Sequence, residues 1–222
     1  IEQKSLDSKL EILNKVNSQN SNEFNLEIIV IDDCSTDGSR KIIESNLDLV
    51  SNYIKLEKNG GKGKAVREGL RKATGDYILF QDGDLEYNPE DYNKIFKVIE
   101  SFDADIIIGS RFLSPEYTRV HYFFHKVGNR TITLIFNLLY NTTFTDIYSC
   151  YLCFKRSLIT PEKLKTNGWE QQAEILAKAV KTSSVHYEVP ISYSGRTFED
   201  GKKIKARHSL SVIYAILKYR LF

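Results

Sequence analysis

The chain has 222 residues, of which 41% are hydrophobic and 27% are charged, so it can bury one sizeable core and falls within the usual range of a single domain, here residues 1–222. Its 31 Lys and Arg residues nearly balance 29 Asp and Glu residues, which excludes a chain-wide attraction to nucleic acid. No signal peptide opens the sequence and no apolar run reaches the ~18 to 20 residues that cross a bilayer, which predicts a cytosolic or cytosol-facing chain.

The first half of the sequence alternates amphipathic helices with short β-branched strands. The predicted elements, in chain order, are a helix over 6–16, a strand over 27–31, a helix over 39–43, a strand over 53–56, a helix over 65–73, a strand over 77–80, a helix capped by Asn88 with Pro89 at its first position, and a strand over 105–108. This alternation predicts an α/β fold with a mixed, mostly parallel sheet and helices on both faces.

The second half is less regular. The predicted elements are an aromatic-rich helix over 120–140, a strand over 151–154, a helix over 171–181, a strand over 185–191 and a closing helix over 209–221. Because the aromatic helix and the closing helix are both amphipathic, they either pack into the core or lie on a bilayer that presents a lipid tail.

Two acidic pairs each follow an apolar strand. Ligands of α/β sheets gather at the carboxyl ends of the strands, so we expect Asp32 with Asp33, and Asp82 with Asp84, at that edge. Asp33 would then accept hydrogen bonds from a ligand's ring or ribose. The alternative role of helix N-cap suits Asp37 better.

The stretch 80–86 (FQDGDLE) carries the most chemical information. A strand end places the Cα atoms of Asp82 and Asp84 roughly 6.5 to 7 Å apart on one side, and two like charges ~4 Å apart repel by about 4 kcal/mol at an effective dielectric constant near 20. A hard cation, Mg²⁺ or Mn²⁺, offsets this repulsion, with Glu86 as a third ligand. The alternative is a solvated turn, and a Lys or Arg that fills the space would argue against a metal.

Basic residues mark two further segments. Residues 60–64 (GGKGK) suit a phosphate cradle of backbone N–H groups with lysine charges, although a glycine loop is also a common turn. Arg111 follows another predicted strand, and Arg196 with Lys202 lies in a basic loop where the planar fork of an arginine suits phosphate. No aromatic platform interleaves this loop, so we expect no nucleic-acid partner.

The three cysteines are too few for a disulfide framework. Cys150 and Cys153 form a CxxC pair, but no second pair or HxxxH partner completes a zinc site. A redox pair is expected at a helix start and not inside an apolar run. We therefore expect both residues to be reduced and buried in a strand.

Taken in order, the segments 31–39 (IDDCSTDGS), 59–69 (NGGKGKAVREG), 75–89 (GDYILFQDGDLEYNP) and 108–112 (IGSRF) resemble family 2 glycosyltransferases of the GT-A fold. The segments 145–154 (TDIYSCYLCF), 189–197 (VPISYSGRT) and 200–204 (DGKKI) resemble the branch of dolichol-phosphate and polyprenol-phosphate sugar synthases. The resemblance covers nearly the whole chain, and it implies that the family's first strand is missing before residue 1.

The resemblance implies a role for each motif. A GDP- or UDP-hexose donor and a lipid-linked phosphate are the implied substrates, with inversion at the transferred sugar and Mg²⁺ or Mn²⁺ as cofactor. The implied site residues are Asp33, Lys64, Asp82 and Gly83 for the donor, Asp82, Asp84 and Glu86 for the metal, Arg111, Arg196 and Lys202 for phosphates, and Asp84, Asp146 and Arg111 for catalysis, with Asp146 as base or orienting group.

The resemblance also implies a place in the cell and leaves two other functions open. A lipid-linked substrate predicts a peripheral position at the cytosolic face of a membrane. One alternative function is a family 2 enzyme with a sugar or protein hydroxyl as acceptor, which needs Asp146 as a true base. The other is a non-catalytic module that binds nucleotide sugars.

Overall fold

Helices and strands alternate along the part of the chain that the structure describes. The computed structural model describes residues 3–20, 24–113, 123–195 and 207–221, so the predicted Arg196 and Lys202 lie outside it. The helices are α1 (Gln3–Asn20), α2 (Ser39–Ser45), α3 (Lys62–Lys72), α4 (Tyr92–Phe102), α5 (Phe123–Tyr140), α6 (Gln171–Val180) and α7 (Arg207–Leu221). The strands are β1 (Ile29–Asp32), β2 (Asn52–Lys55), β3 (Tyr77–Leu79), β4 (Ile106–Ser110), β5 (Leu152–Lys155) and β6 (His186–Pro190). Their order and type confirm the predicted mixed α/β class.

The described strands form two sheets. β1 and β2 are parallel, with Ile29 opposite Asn52. The larger sheet has the order β3-β5-β4-β6, in which β4 and β6 are parallel while β5 runs antiparallel to β3 and to β4. The sheet is therefore mixed, as expected, and only partly parallel.

β4 lies at the centre of the core, since all five of its residues are buried. Successive side chains of a strand point to opposite faces. Accordingly, Ile106 and Ile108 pack into one apolar cluster with side chains of α5, α6 and α7, whereas Ile107 packs into a second cluster with side chains of α1 and α4. Helices thus cover both faces of the larger sheet.

The start of α4 follows the predicted capping chemistry. The side chain of Asn88 accepts a hydrogen bond from the backbone N–H of Glu90 at 3.1 Å, and Pro89 opens a 3₁₀ turn that leads into the helix. Both features stabilise a helix N-terminus, where backbone N–H groups lack partners. Within the described part of the chain, no helix is both long enough and apolar enough to cross a membrane.

Candidate active site

One edge of the larger sheet gathers residues that are far apart in sequence. β3 and β4 end at this edge, and β5 begins there because it runs antiparallel to both. Asp82 follows β3, Arg111 follows β4, and Cys150 precedes β5. The topology therefore brings the acidic motif and the strand-end arginine to one side of the molecule.

Asp82 is paired with a lysine. The Nζ atom of Lys62, the first residue of α3, lies 2.7 Å from Oδ1 of Asp82, and the two side chains are only 24% and 28% exposed. The same Nζ atom lies 3.6 Å from Sγ of Cys150 and 5.7 Å from the ring centre of Trp169. An internal lysine thus neutralises a carboxylate predicted to bind metal, and this is the arrangement that was expected to argue against a metal at Asp82 and Asp84.

The glycine loop, residues 59–64, is held by Asp33. The N–H groups of Gly60 and Gly61 donate to its two carboxylate oxygens at 2.7 and 2.8 Å. In this structure the loop's N–H groups thus bind Asp33. The nucleoside contact expected of Asp33 and the phosphate contact expected of the loop stay predictions. The stem of Lys64 lies over Gly60, where an added Cβ would be 2.2 Å from its Cδ.

The N-terminus of α3 is docked on the loop that precedes α6. The N–H of Gly63 donates to the backbone oxygen of Asn167 at 2.8 Å, and a Cβ at Gly63 would lie 2.5 Å from the backbone oxygen of Thr166. Glu174 of α6, whose side chain is fully buried, accepts hydrogen bonds from the N–H and Oγ1 of Thr166 at 2.8 and 2.6 Å. This contact requires glycine at position 63 and ties α3 to α6.

The predicted metal set of Asp82, Asp84 and Glu86 is not assembled. Oδ1 of Asp84 accepts a hydrogen bond from the N–H of Glu86 at 3.1 Å, and Oε2 of Glu86 accepts one from the hydroxyl of Tyr193 at 3.1 Å. Among the described residues, no three His, Cys, Asp or Glu side chains lie close enough together to hold a metal ion. The oxygens of Asp82 and Asp84 suit a hard cation, and Lys62 holds Oδ1 of Asp82 in this structure.

A second lysine approaches the acidic motif from α1. Lys9 is 2% exposed, and its Nζ donates to the backbone oxygen of Tyr87. Burial lowers the pKa of Lys9 to about 8, against the opposing effect of the nearby carboxylates of Asp84 and Asp82. Gly83, which was predicted to contact the donor, lies between these two acids in a bend. Internal lysines therefore approach this bend from two helices, α1 and α3.

Gln81 fixes the start of the same bend. Its Oε1 accepts hydrogen bonds from the hydroxyls of Tyr92 and Tyr151 at 3.0 and 2.7 Å, and its Nε2 donates to the backbone oxygen of Asp82 at 2.9 Å. Both tyrosines are buried. The core thereby holds the residue that immediately precedes Asp82.

Arg111 forms a buried ion pair with Asp146. The Nε and Nη2 atoms of Arg111 lie 2.7 and 2.8 Å from the two carboxylate oxygens, and its backbone N–H donates to Oδ2 at 3.1 Å. The side chains are 11% and 0% exposed. Asp146 thus occupies the guanidinium of Arg111 in this structure, and the phosphate-binding and catalytic roles expected of Arg111 stay predictions. Of the two roles predicted for Asp146, this contact favours orientation over proton abstraction.

Two further side chains hold the segment around Asp146. Glu188 of β6 accepts hydrogen bonds from the N–H groups of Thr145 at 2.9 Å and Asp146 at 3.2 Å, and burial raises its pKa despite these donors. The buried amide of Gln172 in α6 donates to the backbone oxygen of Ile147 at 3.2 Å. The position of Asp146 is therefore set from β6 and α6 together.

A cavity of about 270 Å³ opens beside Thr145. It is lined by Phe112, Arg130, Thr133, Leu134, Asn137, Phe144 and Thr145. The guanidinium of Arg130 lies 5.9 Å from the ring centre of Phe112. The cavity thus combines apolar walls with a cation, next to the ion pair of Arg111 and Asp146.

The three cysteines carry free thiols in this structure. Cys153 is buried in β5, as predicted, whereas Cys150 precedes that strand and lines the candidate site. Burial, followed by the nearby Asp82, raises the pKa of the Cys150 thiol to about 12. A thiol with such a pKa is a poor nucleophile at neutral pH.

The sequence reveals the acidic motif but not most of the other side chains of the site. Around the acidic motif these are Lys9, Gln81, Tyr92, Tyr151 and Trp169, and around Thr145 and Asp146 they are Arg130 and Glu188. The sequence does point to Glu188, because a carboxylate inside an apolar strand must find hydrogen-bond donors. The sequence also predicts Lys64 as the donor-binding lysine, whereas Lys62 reaches Asp82.

Comparison with known families gives one match over most of the chain. Residues 7–160 match the family described as Glycosyl transferase family 2. Glycosyltransferase AglJ of Haloferax volcanii is 30% identical over 174 residues, covering 76% of this chain and 54% of that protein. Dolichyl-phosphate beta-glucosyltransferase of Dictyostelium discoideum is 34% identical over 113 residues, covering 48% of this chain and 34% of that protein. The chain thus spans about half the length of these relatives, or less.

A solved structure supports the same fold. Glucosyl-3-phosphoglycerate synthase from Mycobacterium tuberculosis, in complex with Mn²⁺, uridine diphosphate and phosphoglyceric acid, superposes with a TM-score of 0.68 at 15% identity. The match covers 96% of this chain and 74% of that one. At this identity the likeness shows the fold alone.

Proposed function

Because this chain belongs to glycosyl transferase family 2, we propose that it is the catalytic domain of an enzyme that moves a hexose from GDP- or UDP-hexose to a polyprenol phosphate. The transfer inverts the configuration at the sugar and depends on a divalent cation. The protein acts peripherally at the cytosolic face of a membrane. The curated relatives include a dolichyl-phosphate glucosyltransferase, which favours a lipid-linked phosphate as acceptor.

The cavity beside Thr145 carries this proposal. A polyprenol phosphate has a charged head and an apolar tail, and the cavity offers matching surfaces. Its guanidinium, Arg130, suits a phosphate because its planar fork binds two oxygens at once. Its apolar walls, Phe112, Leu134 and Phe144, suit the first isoprene units. A sugar hydroxyl acceptor would need neither the cation nor the apolar walls.

The chemistry places few demands on a base. An oxygen of the acceptor phosphate attacks the anomeric carbon, a new carbon–oxygen bond forms, and the bond to the donor diphosphate breaks, so the nucleoside diphosphate leaves with the electron pair. The attacking oxygen is already ionised at neutral pH. This agrees with an Asp146 whose carboxylate is committed to Arg111. Positioning and charge stabilisation then supply most of the rate.

The donor diphosphate belongs at the acidic motif. Asp82 and Asp84 would hold Mg²⁺ or Mn²⁺, which neutralises charge on the leaving diphosphate. Lys62 adds positive charge at the same place. Arg196 and Lys202 lie outside the described residues. We propose them as phosphate-binding residues from their sequence motif alone.

The outer face of α5 and α7 suits a membrane surface. Phe124 and Leu138 of α5 are 83% and 76% exposed, and Leu210 and Tyr214 of α7 are 72% and 65% exposed. The two helices are joined by a hydrogen bond from the Tyr140 hydroxyl to the backbone oxygen of Ile216 at 2.9 Å. Exposed basic residues flank this face at Lys126, Arg130, Lys218 and Arg220. Apolar side chains beside cations fit the boundary between acyl chains and anionic headgroups.

The acceptor assignment is tested by product analysis. The purified chain is incubated with Mn²⁺, with GDP- or UDP-hexoses, and with a polyprenyl phosphate in competition with free sugars and hydroxyl-bearing peptides. We expect a polyprenyl phosphosugar as the main product by mass spectrometry. A glycosylated hydroxyl as main product would favour the alternative acceptor, and donor binding without transfer would favour a non-catalytic module.

Arg130 provides the matched test of the cavity. We expect Arg130→Met to raise KM for the lipid phosphate by about 10- to 100-fold, since a hydrogen bond to a charged group contributes about 1.5–3 kcal/mol, with KM for the donor unchanged. Lys97→Met, which removes an exposed charge from α4 and not from the α5 and α7 face, is the control. Equal lipid KM values in the two variants would contradict the assignment.

Vesicle flotation tests the membrane surface. We expect binding to vesicles that contain phosphatidylglycerol and weaker binding to phosphatidylcholine alone. Phe124→Ser with Leu138→Ser should reduce this binding. Leu47→Ser, at a position that is 48% exposed outside α5 and α7, is the control, and an equal loss in both proteins would count against the α5 and α7 face.

A further inference from the structure

Lys62 has a backbone that its neighbours hold in place and a long side chain that carries the charge. It lies between Gly61, whose φ of +83° suits glycine, and Gly63, where a Cβ would collide with the neighbouring loop. The N–H of Gly61 is bound to Asp33, and the N–H of Gly63 is bound to Asn167. The backbone of Lys62 is therefore positioned from both sides, while its four-carbon stem can still rotate.

The ammonium of Lys62 occupies a built contact. It is bound to Oδ1 of Asp82 at 2.7 Å and lies near the sulfur of Cys150 and the ring of Trp169. Since both charged side chains are mostly shielded, the pair is screened less by salt than an exposed pair would be. A divalent cation on the same carboxylate would meet a like charge at short range.

A donor diphosphate changes this balance. Its oxygens present new acceptors at the same edge, and a lysine ammonium is a general partner for phosphate oxygens. Once Lys62 turns toward them, its ion pair with Oδ1 of Asp82 is broken, while Lys9 still lies near both acids. Oδ1 can then contact a divalent cation that also contacts the diphosphate.

We propose that Lys62 is a positioning residue that couples cation binding to donor binding, because its ammonium holds Asp82 until a diphosphate draws it away. The inference rests on the proposed donor site. It predicts that the protein alone binds a divalent cation weakly and that a nucleoside diphosphate strengthens this binding. It also assigns the coupling to Lys62 and not to the carboxylates by themselves.

Titration of Mn²⁺, followed by the electron paramagnetic resonance signal of the free ion, tests the coupling without turnover. For the unmodified chain we expect GDP or UDP to tighten Mn²⁺ binding at least tenfold. Lys62→Gln should bind Mn²⁺ about tenfold more tightly than the unmodified chain when no nucleotide is present, and the effect of the nucleotide should shrink. Lys62→Arg, which keeps the charge, should keep weak binding. Lys72→Gln removes the same charge from the other end of α3 and should behave like the unmodified chain.

The outcomes separate this inference from the proposed function. If Lys62→Gln unfolds at the same urea concentration as the unmodified chain but its Mn²⁺ affinity without nucleotide is unchanged or weaker, Lys62 does not control the site. If Lys62→Gln is poorly folded, the same Mn²⁺ affinity in Lys62→Arg and the unmodified chain supports the inference, and tighter binding in Lys62→Arg overturns it. If the unmodified chain binds no Mn²⁺ even with GDP or UDP, both the metal-dependent function and this inference are wrong.

Discussion

Replacing Asp146 with asparagine is expected to destabilise the fold. The carboxylate receives three hydrogen bonds from Arg111, and its side chain is fully buried while that of Arg111 is 11% exposed. An asparagine keeps the volume but removes the countercharge and turns an N–H₂ group toward the guanidinium. Breaking a buried ion pair by removing one partner costs about 3–5 kcal/mol, because the other charge stays buried. We expect the free energy of unfolding to fall by that amount.

Urea unfolding followed by circular dichroism measures this loss. With a slope of about 2 kcal/mol per molar urea, the midpoint should fall by about 1.5–2.5 M. Arg111→Met combined with Asp146→Leu removes both charges and should cost less than Asp146→Asn, since apolar replacement of a whole buried pair is often close to neutral. Comparison of the two urea midpoints separates the cost of losing the whole ion pair from the cost of leaving Arg111 buried without its countercharge.

A small effect would refute the reasoning. If Asp146→Asn shifted the midpoint by less than about 0.5 M, the ion pair would not anchor the segment around Asp146. The carboxylate would then be available as a base. Loss of the acidic limb of the pH profile of turnover, with the fold intact, would identify that role, because a general base must be deprotonated to act.

Three other substitutions test separate parts of the site. Lys9→Met should reduce the pH dependence of stability. Burial lowers the pKa of Lys9 from 10.5 to about 8, so between these two pH values the folded chain binds fewer protons than the unfolded chain, and stability rises with pH. The urea midpoint of the unmodified chain should therefore rise with pH over this range more than that of Lys9→Met. Gly63→Ala places a Cβ 2.5 Å from a backbone oxygen and should cost about 1–3 kcal/mol in thermal unfolding, whereas Gly128→Ala, with nothing within 4 Å, should be neutral or stabilising. Tyr151→Phe removes a donor to Gln81 and should cost about 1 kcal/mol in urea unfolding while raising KM for the donor; an unchanged KM would contradict a positioning role.

Much of the fold could be predicted because local chemistry and tertiary packing agree. The apolar spacing of Leu6, Leu10 and Leu13 predicts a helix, and all three side chains are buried in α1. Asn88 and Pro89 predict a helix start that the structure contains. Such signals are read within one or two turns of chain, which is the range over which the sequence is most informative.

The direction of β5 could not be predicted in the same way. The apolar run at 151–154 has the same pattern whether its neighbours run parallel or antiparallel, since both of its faces are buried. The direction depends on where α5 returns the chain, which is a property of the whole fold. The close approach of Cys150 to Lys62 follows from that direction.

The partners of individual polar residues were also out of reach. Asp33 follows a strand whether it binds a ligand or the N–H groups of Gly60 and Gly61. Lys62 and Lys64 are residues of the same type, and which of them reaches Asp82 depends on the direction that the first turn of α3 faces. Contacts of this kind require the three-dimensional arrangement of segments that are distant in sequence.

The start of α6 supports both the proposed donor half and the proposed acceptor half of the site. Glu174 holds the loop on which α3 and Lys62 rest, and Gln172, two residues away, holds the segment that carries Asp146. A shift of this one helical turn would displace the donor half and the acceptor half together. Under the proposed function, sugar preference and lipid preference would be mechanically linked at this point, so a redesign of one specificity would have to keep these two side chains or retune the other specificity with it.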